Sequence, residues 1–266
     1  QQQSLVNTEI EKKNLVTAAR GQESIYLQLI AEKEKNAAQI RAALFVLRDS
    51  KSVSFGDIFS YAKEASLKTD VRPAFILGIL AEESNMGQNV GTGNWKKDMH
   101  PTRDQPLFAQ ITASLGLNPD TMPVSKKPWY GWGGAMGPGQ FIPSTWVCYG
   151  GFVNVNSNTC SPPSGAGLAF WQGPWQYSAS KDRVRKLLGG SAQSNPWDAQ
   201  TAIMATAMLM ADNGATKRTP AAERLAALRY FAGWAGAGKP AYAFYGDAVM
   251  RFAAQFQQDI NQLGGA

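Results

Sequence analysis

The segment Gly131-Trp132-Gly133-Gly134-Ala135-Met136-Gly137-Pro138-Gly139-Gln140-Phe141-Ile142-Pro143-Ser144-Thr145-Trp146 is dense in glycine and punctuated by aromatic residues. Glycines at this density let backbone approach a ligand closely. The aromatic residues beside them offer flat apolar faces. Sugar rings carry such faces too, with hydroxyls around the rim, so stacking plus an amide such as Gln140 suits a carbohydrate groove. A structural glycine loop with its tryptophans plugged into the core fits the same composition, and composition leaves both readings open. Pro143-Ser144-Thr145-Trp146 predicts the opening of a helix.

Upstream lies Glu82-Glu83-Ser84-Asn85-Met86-Gly87, closing a segment with the apolar face Phe75, Ile76, Ile79 and Leu80. A carboxylate at the end of such a helix is costly to keep charged, so its pKa should rise. A carboxyl still protonated near neutral pH is what a general acid for glycosidic cleavage needs. Helical geometry alone does not separate Glu82 from Glu83. Either or both facing solvent is the plain alternative.

Outward from these segments the chain reads as helical. Helices are predicted over 55–66, over 71–84 with Asp70 as its cap, and over 106–115 within an otherwise loop-rich 89–127. Further helices are predicted over 198–213, closed by Asn213-Gly214, over 220–234 and over 241–263. Strand-like alternation is scarce, so the expected fold class is all-α.

Before residue 50 the character changes. Residues 7–49 contain no proline and a single glycine, Gly21. Tyr26, Ile30, Ala37, Ile40, Leu44 and Leu47 follow a 4-3 spacing interrupted by Lys33, an imperfect heptad seam. A long coiled-coil-like helix is expected over 1–50, with a possible coiled-coil partner through residues 7–49. Ser50-Lys51-Ser52-Val53-Ser54 marks the boundary to a main domain over 53–266.

The 266 residues carry a formal net charge of +6, 44% hydrophobic residues and 17% charged ones. That suffices for one sizeable core. No apolar run approaches the ~18 residues of a membrane span, and no base-reading motif is present, so neither a transmembrane segment nor a nucleic-acid partner is expected. The basic surface suits a polyanion such as an acidic cell wall. The group Lys181-Asp182-Arg183-Val184-Arg185-Lys186 reads as a solvated face. The start, Gln1-Gln2-Gln3, lacks the profile of a signal peptide, so the chain reads as a soluble fragment or mature form.

The single histidine, His100, stands in Met99-His100-Pro101 with no nucleophile elbow elsewhere, which argues against a Ser-His-Asp triad or a Cys-His pair. With two cysteines and one histidine no metal site is expected, and no cofactor. Carboxylates, hydroxyls and amides remain for chemistry. Cys148 and Cys160 flank a polar, loop-like segment. A disulfide there implies an oxidising compartment; two unrelated buried thiols are the alternative.

Taken together, Glu83-Ser84 and the run Gly134-Ala135-Met136-Gly137, Gln140-Phe141 and Pro143-Ser144 resemble the B-type membrane-bound lytic transglycosylases of the lysozyme-like superfamily. Asn195-Pro196-Trp197-Asp198-Ala199 is similar to the family's third motif. Leu228-Arg229-Tyr230-Phe231-Ala232-Gly233, with Ala243-Phe244-Tyr245-Gly246-Asp247-Ala248-Val249, resembles its last, tyrosine-bearing motif. The resemblance runs over about 53–251. It implies a lysozyme-like helical catalytic domain, an extracytoplasmic workplace and peptidoglycan glycan strands as partner and substrate. It assigns Glu83 as the single acid/base and Ser84, Met136, Gly137, Gln140, Phe141 and Tyr230 as substrate-binding residues. Two departures stand out. Relatives carry a serine, which helps position the catalytic carboxyl, where this chain has Gly131. Some also carry an aspartate-rich calcium loop, which is missing here. Asp98, Asp104 and Asp120 are candidate second carboxylates for a hydrolytic route, although turn roles suit them better. A hydrolytic muramidase on the same fold and a catalytically inactive wall-binding or scaffolding module are the competing readings.

Overall fold

A helix that is apolar all round belongs in the middle of a protein, and Pro73–Ser84 is such a helix. The computed structural model describes residues 55–129 and 131–262, and Asp57–Ala266 forms one unit. The expected arm over 1–50, its heptad seam and its partner lie outside the described residues. Among these, α1 spans Phe55–Thr69, α2 Pro73–Ser84, α3 Trp95–Asp98, α4 Gln105–Ser114 and α5 Pro143–Trp146. Two strands follow, β1 over Gly150–Asn154 and β2 over Trp175–Asp182. The chain then continues through α6 (Arg183–Leu188), α7 (Ala199–Asp212), α8 (Pro220–Gly236) and α9 (Ala243–Gln262).

The core is built on α2, whose Phe75, Ile76, Leu77, Ile79 and Leu80 are buried. Helices α7 and α9 pack against it, and α8 packs on both of them. The α2–α9 crossing is close because Gly78 has no side chain. A Cβ there would stand 2.9 Å from the Val249 carbonyl oxygen and 3.1 Å from the Ala253 nitrogen. At the other end of α2, Arg72 grips the buried Glu223 of α8 through Nε (2.7 Å) and Nη2 (2.6 Å), and donates to Gln257 of α9 at 2.8 Å. One guanidinium thus ties three helices together.

The all-α expectation is overturned by the antiparallel pair β1–β2. Phe152 pairs with Tyr177, Val153 with Gln176 and Asn154 with Trp175, with a register shift between Gly150 and Phe152. The pair escaped the sequence reading for a physical reason. Every residue of β1 is buried, so no alternation marks it. Much of β2, Ser178-Ala179-Ser180-Lys181, is poor in β-branched and aromatic residues. The fold is therefore mainly helical with a small sheet.

Smaller corrections follow the same logic. Asp70 does not cap α2: it takes a left-handed φ of 61° just past the end of α1 and pairs with Arg218 at 2.6 Å. Pro73 sets the start of α2 instead, because proline is preorganised for the first helical turn and keeps the residue before it extended. The 181–186 group is not simply a solvated face. Asp182 is fully buried and caps α6 by accepting from Arg185 N at 2.9 Å; it also accepts from Ser194 Oγ at 2.7 Å and Tyr177 Oη at 3.0 Å. Asp198, expected as the first residue of α7, stands just ahead of it and caps it, accepting from Thr201 N at 2.8 Å.

Candidate active site

Glu83 stands in the last turn of α2, where the chain must leave the helix sharply. Asn85 and Met86 both take left-handed φ, 48° and 60°, and the Asn85 and Met86 amides return to the Ala81 and Leu80 carbonyls at 3.1 Å. Asparagine tolerates that conformation better than most residues. Glu83 as a residue keeps some exposure at the rim of the core, while its carboxyl is turned into buried surroundings.

Its carboxyl has one hydrogen-bond partner of note. The Tyr245 hydroxyl donates to Glu83 Oε1. Tyr245 is buried, and its ring is stacked on Phe231 with centroids 4.5 Å apart and planes 17° from parallel. Tyr245, Val249 and Ala253 lie one turn apart on one face of α9. The close approach at Gly78 therefore also delivers Tyr245 to Glu83. Burial pushes the Glu83 carboxyl up to about 7; the Tyr245 hydrogen bond pulls the other way and the nearby Glu82 charge adds to the rise. Burial, with the Glu83 charge second, raises Tyr245 and Tyr230 well above the ordinary tyrosine value, so both keep their protons and act as donors.

Tyr230 reaches the glycine loop rather than the carboxyl. Its hydroxyl donates to the Gly139 carbonyl and lies 3.5 Å from that of Gln140. Ser84 Oγ donates to the Pro138 carbonyl at 2.7 Å and accepts from Gly87 N at 2.9 Å. The loop is thus pinned to α2 beside the acid and to α8 behind it. Gly137, at φ 62°, touches the third motif: a Cβ there would fall 1.8 Å from the Pro196 carbonyl oxygen. Gln140 is half-buried at φ 49°, and its side-chain amide donates to the Gly137 carbonyl at 2.8 Å.

The residues assigned to substrate binding therefore divide. Glu83, Gln140 and Tyr230 meet around one loop and keep some exposure. Ser84, Met136 and Phe141 are at most 2% exposed. Met136 and Phe141 pair through their backbones at 2.9 and 3.1 Å, and Phe141 packs edge-on against Trp146. These three support the loop from behind and present almost no side-chain surface to a substrate. Trp146 and Trp175 are core residues as well. Sequence reasoning missed Tyr245 as a site residue. It lies inside the last motif, but its partner is 162 residues away, and only the helix packing brings them together.

The candidate second carboxylates are occupied elsewhere. Asp98 accepts from Asn94 N at 2.6 Å and Lys127 N at 2.8 Å. Asp104 is buried, paired with Arg103 at 2.8 Å and accepting from Ser144 N at 3.0 Å at the start of α5. Asp120 accepts from Trp95 Nε1 at 2.8 Å and pairs with Lys96 at 3.0 Å. Gly131 borders open space, and the hydroxyl on the Glu83 carboxyl is that of Tyr245.

Cys148 and Cys160 are joined by a disulfide, with Cα atoms 5.1 Å apart. Among the described residues no group of three or more His, Cys, Asp or Glu side chains could hold a metal ion, and no helix is long and apolar enough to cross a membrane. No protein-family profile, curated protein sequence or solved structure matches the chain.

Proposed function

We propose that the protein is a peptidoglycan lytic transglycosylase that cleaves the bond between N-acetylmuramic acid and N-acetylglucosamine. The observation that carries this reading is the single carboxyl of Glu83, raised to about 7 and held by a protonated tyrosine beside a glycine loop. The resemblance of that loop and of the Glu83-Ser84 pair to the lytic transglycosylases supplies the substrate. Most glycosidases need two carboxyl groups; here Asp98, Asp104 and Asp120, the candidate second carboxylates after α2, are committed to backbone, indole and cationic partners.

In the first step the Glu83 carboxyl gives its proton to the bridging oxygen as the muramic C1–O bond breaks. The substrate's N-acetyl group stabilises the oxocarbenium-like centre. Glu83, now a carboxylate, takes the proton from the C6 hydroxyl of the same muramic sugar while that oxygen bonds to C1. The proton balance closes on Glu83, and no water is consumed. The product is a 1,6-anhydro end. A group near its pKa at neutral pH serves both as acid and as base. Tyr245 fixes the orientation of the carboxyl and stabilises its charged form between the two steps.

The disulfide and the basic surface suit work outside the cytoplasm on an acidic wall. The experiment is mass spectrometry of muropeptides released from purified sacculi. Anhydro ends, one water lighter than reducing ends, are expected. Reducing ends would make the protein a muramidase. Binding without release would leave a wall-binding module.

A further inference from the structure

The segment Lys126-Lys127-Pro128-Trp129-Tyr130-Gly131-Trp132 leads directly into the glycine loop and takes no part in the chemistry above. Asp98 holds both of its ends. The Asp98 carboxylate accepts from Lys127 N at 2.8 Å, and its backbone carbonyl accepts from Gly133 N at 2.8 Å. Between these anchors Trp129 is 93% exposed and Trp132 40%. The Lys127 ammonium sits 3.5 Å from the centre of the Trp132 ring, and the His100 ring lies 5.3 Å from it. His100 is itself fixed, its Nδ1 accepting from the Thr102 and Arg103 amides at 3.3 and 3.2 Å. Lys126 is exposed as well.

Exposed aromatic surface of this size marks a contact surface. Two lysines beside them select for negative charge. The location narrows the partner further. Pro138, which bonds Ser84 next to Glu83, follows Trp132 by six residues, a span of at most ~20 Å even when fully extended. An extended ligand of several sugar rings is long enough to bridge that separation. We infer that Lys126, Lys127, Trp129 and Trp132 form a second contact for the acidic glycan strand, distant from the cleaved bond. Trp129 stacks on a sugar ring, Trp132 adds the ring surface that Lys127 leaves uncovered, and Lys126 and Lys127 meet carboxylates carried along the strand. This inference rests on the reading of the Glu83 site as one for glycan strands. Tryptophan beside lysine also suits a membrane interface, but continuity with the loop at Glu83 favours the strand.

The test uses the full chain in a Glu83→Gln background, so that binding is read without cleavage. Binding to purified sacculi and to anionic phosphatidylglycerol vesicles is measured by co-sedimentation. The Trp129→Ala/Trp132→Ala double variant should bind sacculi about tenfold more weakly, as expected for loss of anchoring aromatics. Replacing both tryptophans with phenylalanine should restore most of the binding. Lys126→Gln/Lys127→Gln should flatten the salt dependence of sacculus binding. Unchanged unfolding midpoints show the fold intact. Undiminished sacculus binding by the double alanine variant, or a loss confined to the vesicles, overturns the assignment. Product analysis of the chain with Glu83 intact separates the two readings: tryptophan-dependent binding without anhydro ends defeats the catalytic reading alone, while anhydro ends with tryptophan-independent binding defeat the loop alone.

Discussion

Glu83 is costly to keep where it is, and its cost is measurable. An ordinary glutamate ionises near 4.5, whereas this one does so at about 7. The folded protein therefore holds the proton more tightly than the unfolded chain between those values. The contribution of Glu83 to stability is fully present below pH 4.5 and is lost as pH rises through 7. Glu83→Gln should thus be more stable than the parent at pH 8, by on the order of 2–3 kcal/mol, with the gap closing at pH 4; thermal unfolding at the two pH values reads this directly. The same variant should lose at least ~10²–10⁴-fold in release of anhydro-muropeptides, while Glu82→Gln loses far less. A dead Glu82→Gln beside an active Glu83→Gln would place the acid one residue earlier. Tyr245→Phe removes a donor that favours the carboxylate, so the Glu83 pKa should climb above 7. The alkaline limb of kcat/KM should then move to higher pH, and the peak activity should fall. An unshifted limb would mean that Tyr245 does not bond the Glu83 carboxyl in solution.

At the scale of the helices, the site depends on two contacts that position α2. Gly78→Ala adds one methyl where the α9 backbone leaves 2.9 Å. Alanine favours a helix over glycine by ~1 kcal/mol, but overpacking costs about 1–3 kcal/mol. The variant should be destabilised in denaturant unfolding. It should also lose activity beyond its stability loss, because α2 carries Glu83 and α9 carries Tyr245. Glu223→Ala leaves Arg72 without its paired carboxylate at the junction of α2 and α8. Breaking such a buried pair from one side costs about 3–5 kcal/mol. Glu223→Gln, which keeps a hydrogen-bond acceptor, should recover part of that loss in the same measurement.

At the scale of the molecule, the small sheet is fastened by the one covalent crosslink that the sequence permits. The Cys148–Cys160 bond encloses β1 and closes the chain over a sequence separation of 12. A loop of that size is expected to contribute about 2–4 kcal/mol through the unfolded state. Reduction should lower the unfolding midpoint accordingly. The hydrophobic centre of α2, α7 and α9 lies outside the crosslinked segment, so the helical circular dichroism should survive reduction at room temperature. Collapse of the helical signal on reduction would show that the sheet is needed to hold the helices together.

What the sequence determined by itself was local. Asp198 ahead of α7, Asn213-Gly214 behind it and Pro220 at the start of α8 declare their elements, because capping and helical periodicity act over three or four residues. The pair Glu82-Glu83 closing an apolar helix was legible for the same reason, but position along the helix did not separate one from the other; the resemblance of Glu83-Ser84 did. The tertiary structure alone decided which hydroxyl meets that carboxyl, since Tyr245 reaches it through a helix crossing licensed by Gly78 and not through any spacing along the chain. It also sent Ser84, Met136 and Phe141 behind the glycine loop, and it paired two strands of which one had no alternation to show. Burial, pairing across the chain and the pKa that follows from them depend on what the remaining residues pack around, and no local pattern contains that information.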